Sequence, residues 1–256
     1  MTTPDNTSPL MPDTLQWLPA QGQPEQLMIL LHGWGANAHD MAPLAQVLRQ
    51  QFPQAAVLAP HGFEPVDTQL AGRQWFSLTG ITEANRAARV AQALPRLHDW
   101  VRAAQAATGV GPAATALFGF SQGSIMSLEL VQQHDGLAGR VLAFSGRYAS
   151  LPNQALAHTT LHLFHGSDDP VIPVSQTKAA IQRLADLQAD ATADIAEGAG
   201  HEMPMALIQQ ALHRLRSHIP HRTWAAAMGA VPGLADRTEV DHLDATASDD
   251  PSTGPH

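Results

Sequence analysis

The chain has 256 residues, 44% of them hydrophobic and 14% charged, with a formal net charge of −9 and no cysteine. That length accommodates one α/β domain with a sizeable core. The missing cysteine excludes disulfides, thiolate metal sites and a cysteine nucleophile, and an acidic chain without a block of Lys or Arg argues against nucleic acid or an anionic membrane surface as the main partner.

Residues 1–14 read as a flexible N-terminus, followed by an edge strand near residues 15–18. Residues 1–24 are polar and Pro-rich, with neither a basic nor an apolar leader region, so no signal peptide is expected and the cytoplasm is the expected compartment. The apolar run 27–31 is too short to span a bilayer, as are all others. From there a strand-then-helix alternation begins. A strand over 27–32 leads to a helix over 40–51, and a strand over 55–60 leads through a long loop, 61–80, to a helix over 81–108. A strand over 115–120 runs directly into a helix over 122–133. Strands over 141–145 and 161–165 precede a helix over 174–188, and a strand over 192–197 precedes a helix over 203–217. Short apolar runs bounded by Gly, Pro or Asp suit strands buried on both faces. Their alternation with helices predicts a mostly parallel sheet covered on both sides, without a large separate cap. Ligands then sit at the carboxyl ends of the strands. The domain is expected to span 15–220. Residues 221–256 show no sustained period and read as a disordered tail.

The strongest motif is Gly119-Phe120-Ser121-Gln122-Gly123, set between a strand and a helix. This is the nucleophile elbow of α/β-hydrolases in its required context, with Ser121 at the tip of a sharp turn. His165-Gly166-Ser167-Asp168-Asp169-Pro170 ends a later strand, and either Asp168 or Asp169 could supply the carboxylate that orients a base. Gly198-Ala199-Gly200-His201 follows the last strand. Of 14 histidines, His201 alone stands after the acid, at a strand end and between small residues. Leu31-His32-Gly33-Trp34-Gly35 follows the first clear strand. By position in this fold, the backbone N–H groups of Trp34 and Gln122 are the expected oxyanion donors, and His32 reads as a structural tie between loops. Trp34, Trp75 and Phe76 are candidates both for pocket walls and for ordinary core aromatics. Arg73 is a candidate contact for an anionic substrate group, against a salt bridge within its own loop.

Together these segments resemble the carboxylesterase and acyl-protein thioesterase family, also described as phospholipase/carboxylesterase. The LHGWG, GFSQG, HGSDDPVIP and GHEM segments each look like that family's marks, and AGRQWFSLTGITEANR is similar to its bacterial esterase branch. The resemblance covers residues 15–218. It implies Ser121 as nucleophile, Asp169 rather than Asp168 as acid, His201 as base, and no metal or organic cofactor. The expected function is hydrolysis of short or medium-chain carboxylic esters through an acyl-enzyme. An acyl-protein thioesterase and a non-catalytic binding module on the same fold are the alternatives. The expected partner is a small-molecule ester or thioester, and the sequence leaves a homodimer open.

Overall fold

The computed structural model describes residues 11–68 and 71–229. The expectations for residues 1–10 and 230–256 lie outside the described residues. The chain divides into two units after Pro220.

The first unit opens with β1 (Thr14–Trp17) and β2 (Gln26–Leu31). A 3-10 turn, Ala38–Met41, capped by Asn37, precedes α1 (Ala42–Gln51) and β3 (Ala55–Pro60). The loop that follows carries a two-residue ladder, β4 (Glu64–Pro65) against β5 (Arg73–Gln74). Next come α2 (Glu83–Thr108), β6 (Thr115–Phe120), α3 (Gln122–Gln133) and β7 (Arg140–Phe144). β8 (Thr160–Gly166), α4 (Ser175–Asp186), β9 (Ala191–Ala196) and α5 (Met205–Ser217) complete the unit.

Several boundaries move from their sequence-based positions for local reasons. α2 begins at Glu83 rather than residue 81, because Thr82 accepts from the Asn85 amide while Asn85 Oδ1 accepts from that of Thr82. α5 begins after Pro204, which stands in extended conformation at its N-cap. In the second unit, where a disordered tail was expected, His221–Gly229 forms a helix, α6. Its run of alanines has the highest intrinsic helix propensity.

Seven strands form one sheet in the order β1-β3-β2-β6-β7-β8-β9. β1 pairs antiparallel with β3, and every other pairing is parallel. Successive side chains of a strand face opposite sides, and β2 illustrates the result. Leu27, Ile29 and Leu31 join the core formed with α2, α3 and α4, while Met28 and Leu30 join the core formed with α1 and α5. All five are buried, so the strand must be apolar throughout, and its sequence is. Phe144 and Phe164, on neighbouring β7 and β8, stack with ring centroids 4.6 Å apart on the second face. No helix among the described residues is long and apolar enough to cross a membrane.

Because the strands from β2 to β9 are parallel, the loops leaving β2, β6, β8 and β9 all emerge at one edge of the sheet. The junction between β6 and α3 is closely packed. A Cβ at Gly119 would lie 2.5 Å from Gly123 O and Ser124 Cα, and one at Gly123 would lie 2.1 Å from Leu31 O of β2. Backbone meets backbone there, so neither contact can be relieved by a rotamer change. Gly123→Ala should therefore cost about 3 kcal/mol or more in urea unfolding. Gly111→Ala, where a Cβ meets nothing within 4 Å, should stay within about 1 kcal/mol of the wild type.

Candidate active site

Ser121 is the residue between β6 and α3. It holds φ 53 and ψ −114, a conformation in which a side chain is strained and which the surrounding packing must enforce. Its own N–H donates to Phe144 O at 2.9 Å, tying the turn to β7. The hydroxyl of Ser124 braces the same turn, donating to Gly119 O at 2.6 Å and Phe144 O at 2.7 Å.

The loops after β8 and β9 bring the other two candidates to this turn. His201 Nε2 lies 2.9 Å from Ser121 Oγ, and His201 Nδ1 lies 2.7 Å from Asp169 Oδ2. Asp169 is buried, and its second oxygen, Oδ1, accepts from the amides of Val171 and Ile172 at 2.8 and 2.9 Å. Burial pushes its pKa up, but the hydrogen bonds from His201, Ile172 and Val171 outweigh it and hold the carboxyl below its ordinary range. An ionised Asp169 only accepts, so Nδ1 of His201 carries the proton and Nε2 is the acceptor facing the Ser121 hydroxyl. Asp168, the other acid that the sequence allowed, turns to its neighbour Ser167, whose hydroxyl donates to it at 2.9 Å.

Both loops are held from behind. His165 at the end of β8 is fully buried. Its Nε2 donates to Ile172 O at 2.7 Å and stands 3.3 Å from Asp169 Oδ2, and Nδ1 accepts from the Thr177 hydroxyl at 2.7 Å. The Asp168 amide donates to Ala199 O at 3.0 Å, Gly198 N–H to Ser167 Oγ at 2.8 Å, and the Ser145 hydroxyl to Glu202 O at 3.2 Å. The ring of Phe120 lies against that of His201, centroids 5.0 Å apart.

The loop after β2 reaches the same turn. A Cβ on Gly33 would stand 3.3 Å from that of Ser121, so the peptide entering Trp34 runs beside the hydroxyl. Gln122 opens α3, where amides have no intrahelical acceptor. Among the described residues neither the Trp34 nor the Gln122 amide has a partner.

Of the four candidate substrate contacts, Trp34 alone lines the cleft at Ser121, a cavity of about 240 Å³. Trp75 is 1% exposed. Its indole donates to His32 O at 2.8 Å, and its ring packs on His32 and Phe63. Phe76 is buried too. These two belong to the core because the Gln122 side chain grips their backbone, accepting from Trp75 N at 2.8 Å and donating to Phe76 O at 2.7 Å. Arg73 points away from the cleft, its Nε donating to Gly62 O at 2.8 Å. Its backbone instead braces the Trp34 loop, through Gly35 N to Arg73 O and Arg73 N to Ala36 O. The cleft walls that sequence reasoning missed are Leu78, Ile81, Arg86, Ile125, Arg147 and Ile172. Leu78, Ile81 and Arg86 lie in the AGRQWFSLTGITEANR stretch and Ile172 in HGSDDPVIP, but neither stretch tells which of its side chains faces the cleft.

His32 is fully buried. Nδ1 donates to Gly33 O and Nε2 accepts from Gly62 N, both at 2.7 Å, so the neutral ring ties the loops after β2 and β3 together. Burial lowers its pKa to about 4. The unfolded chain therefore binds a proton at His32 that the fold refuses, and stability falls as pH drops from about 6.5 toward 4. Urea unfolding should give about 2 kcal/mol less stability at pH 5 than at pH 7 from this group. His32→Asn should remove that part of the slope.

Known proteins resemble this chain in sequence and in fold. The family model described as phospholipase/carboxylesterase matches residues 18–219. Esterase YpfH of Escherichia coli (strain K12) is 46% identical over 217 residues, covering 84% of this chain and 93% of that protein. Acyl-protein thioesterase 1 of Gibberella zeae is 24% identical over 224 residues, covering 79% and 94%. Among solved structures, esterase PE8 superposes with a TM-score of 0.75 at 30% identity, over 81% of this chain and 99% of that one. The Bacillus cereus carboxylesterase shares the fold with a TM-score of 0.66 at 17% identity, over 80% and 94%. The chain is an α/β-hydrolase and belongs to the phospholipase/carboxylesterase family.

Proposed function

We propose that this hydrolase cleaves carboxylic esters of short or medium acyl chain through a Ser121 acyl-enzyme, with His201 as base and Asp169 as its partner. The observation that carries this reading is the chain of contacts from Ser121 Oγ to His201 Nε2 (2.9 Å) and from His201 Nδ1 to Asp169 Oδ2 (2.7 Å). As the hydroxyl attacks the ester carbonyl, its proton passes to Nε2. The imidazolium is stabilised by the Asp169 carboxylate, which stays ionised. The carbonyl oxygen becomes an alkoxide beside the Trp34 and Gln122 amides, which are without other partners and need no reorganisation to bind it. His201 then returns the proton to the leaving oxygen, the C–O bond breaks, and the alcohol departs. Water attacks the acyl-enzyme by the same route and releases the acid and the Ser121 hydroxyl.

The cleft volume of about 240 Å³ supports a short acyl group, since it offers room for roughly eight water-sized groups. An acyl-protein thioesterase is the second reading, favoured by the relative of that name, and the same three residues serve a thiol leaving group equally well.

A panel of p-nitrophenyl esters of rising chain length, run beside acyl thioesters and peptide amides, separates these readings. Activity should peak at short oxygen esters. A maximum at long-chain thioesters would favour the second reading. Ser121→Ala should lower kcat/KM by at least about 10⁴-fold and abolish labelling by a serine-directed phosphonate. A wild type that fails to label would be a binding module. Because the Asp169 carboxyl titrates below its ordinary range, the acid limb of kcat/KM should follow one proton, and Asp169→Asn should lower the plateau by about 10⁴-fold.

A further inference from the structure

The cleft at Ser121 is mostly apolar, and beyond the Ser121–Gln122 turn its charged groups are two guanidinium groups. Arg86, from the first turns of α2, and Arg147, from the loop after β7, line it beside Trp34, Leu78, Ile81 and Ile125. Both are largely covered, with side-chain exposures of 16% and 18%, and both lean on one carboxylate, that of the exposed Glu83. Arg147 engages the protein through all three of its nitrogens, leaving one further N–H on each Nη: Nη1 and Nη2 donate to the two oxygens of Glu83 at 3.1 and 2.7 Å, and Nε donates to Tyr148 O at 3.1 Å. Arg86 does not. Its Nη2 donates to Glu83 Oε1 at 3.0 Å. Its Nη1 has no partner among the described residues, and its Nε is buried without one. Two cations therefore share one anion, and a positive charge with open donors is left over in a mostly apolar cleft. Holding a guanidinium in such a place is costly unless an anion completes it.

The segment bearing Arg147 is not loose. The half-buried Glu129 of α3 accepts from Ala149 N at 2.7 Å and Ser150 N at 3.4 Å, which anchors the loop just beyond the arginine. The position of the pair relative to the reacting atoms follows from the cavity walls. Ser121 and Gln122 line it, whereas His201 does not. With the nucleophile and Gln122 on its wall, the cavity opens at the carbon that Ser121 Oγ attacks, and the acyl chain is assigned to it.

We infer that the acyl portion of the preferred substrate ends in an anionic oxygen group, seated at Arg86 and Arg147, so that the enzyme favours half-esters of diacids over neutral esters of equal length. This rests on the esterase reading above and specifies its substrate class. Terminal carboxylate and terminal phosphonate share the recognising chemistry, since a guanidinium fork matches either.

The test compares kcat/KM for p-nitrophenyl hemiadipate, p-nitrophenyl hexanoate and the p-nitrophenyl ester of ω-phosphonopentanoic acid, each corrected for spontaneous hydrolysis. The wild type should prefer at least one anionic ester to the hexanoate by about tenfold or more, and the better of the two anions identifies the terminal group. In Arg86→Gln or Arg147→Gln that preference should fall toward unity. Because the ratio is taken within one variant, any general loss of activity cancels. A wild-type ratio at or below unity overturns the proposal, as does a preference that survives in both variants. If the variants do not fold, competition in the wild type decides. Adipate should inhibit hexanoate hydrolysis at least tenfold more strongly than the neutral adipamide, and equal inhibition by the two overturns the anion site. Turnover of all esters without preference removes this proposal alone. No turnover of any ester, with no phosphonate labelling, removes the esterase reading itself.

Discussion

The site depends on how closely two backbones approach. Where β6 turns into α3, the peptide at Gly123 lies so near Leu31 of β2 that a methyl group would stand 2.1 Å from its carbonyl oxygen. Within that turn Ser121 holds positive φ, with its hydroxyl 2.9 Å from His201 Nε2. The contact also fixes where the loop after β2 must pass. The strain at Ser121 is sustained by hydrogen bonds of the Ser121 amide and the Ser124 hydroxyl to Phe144, and by the burial of α3 beneath α2.

Around this turn, buried polar side chains act as clamps between loops. Gln122 holds the backbone of Trp75 and Phe76, His32 holds Gly62, and His165 holds the carbonyl of Ile172 beside the acid. Each has both of its polar ends matched, as burial requires. The result is a frame in which Asp169 and His201 are placed by hydrogen bonds that do not involve substrate. Such preorganisation lets developing charge meet groups already in position. His32 and Asp169 are both held unprotonated, by different means: burial empties His32 of its proton, and donated hydrogen bonds empty Asp169 of its own.

The parts readable from the chain were those settled by neighbours in sequence. β3, β6 and α3 lie at the residues expected, because an apolar run bounded by Gly or Pro, or a strand passing straight into a helix, is a local pattern. The Ser-Asp-His order and the glycine-flanked loops were legible for the same reason. For Trp75, Phe76 and Arg73, which share a long loop without period, the sequence leaves open whether they face substrate or the protein itself. Their actual directions are set by partners 47, 46 and 11 residues away. The small β4–β5 ladder in that loop likewise has no periodic signal in two-residue strands.

The amino-acid sequence by itself determined the parallel architecture, the elbow with Ser121, and His201 as the base, and it left the acid between Asp168 and Asp169, a choice made by family resemblance. Steric demands of a turn and the burial of an apolar strand act within a few residues, so they leave their mark in contiguous residues. Tertiary structure alone decided which aromatic faces the cleft and which arginines enter it. Arg86 and Arg147 are brought to one carboxylate from separate elements, Glu83 and Arg147 being 64 residues apart. Such a meeting is made by the packing of α2 over the sheet, and no local pattern of residues encodes it.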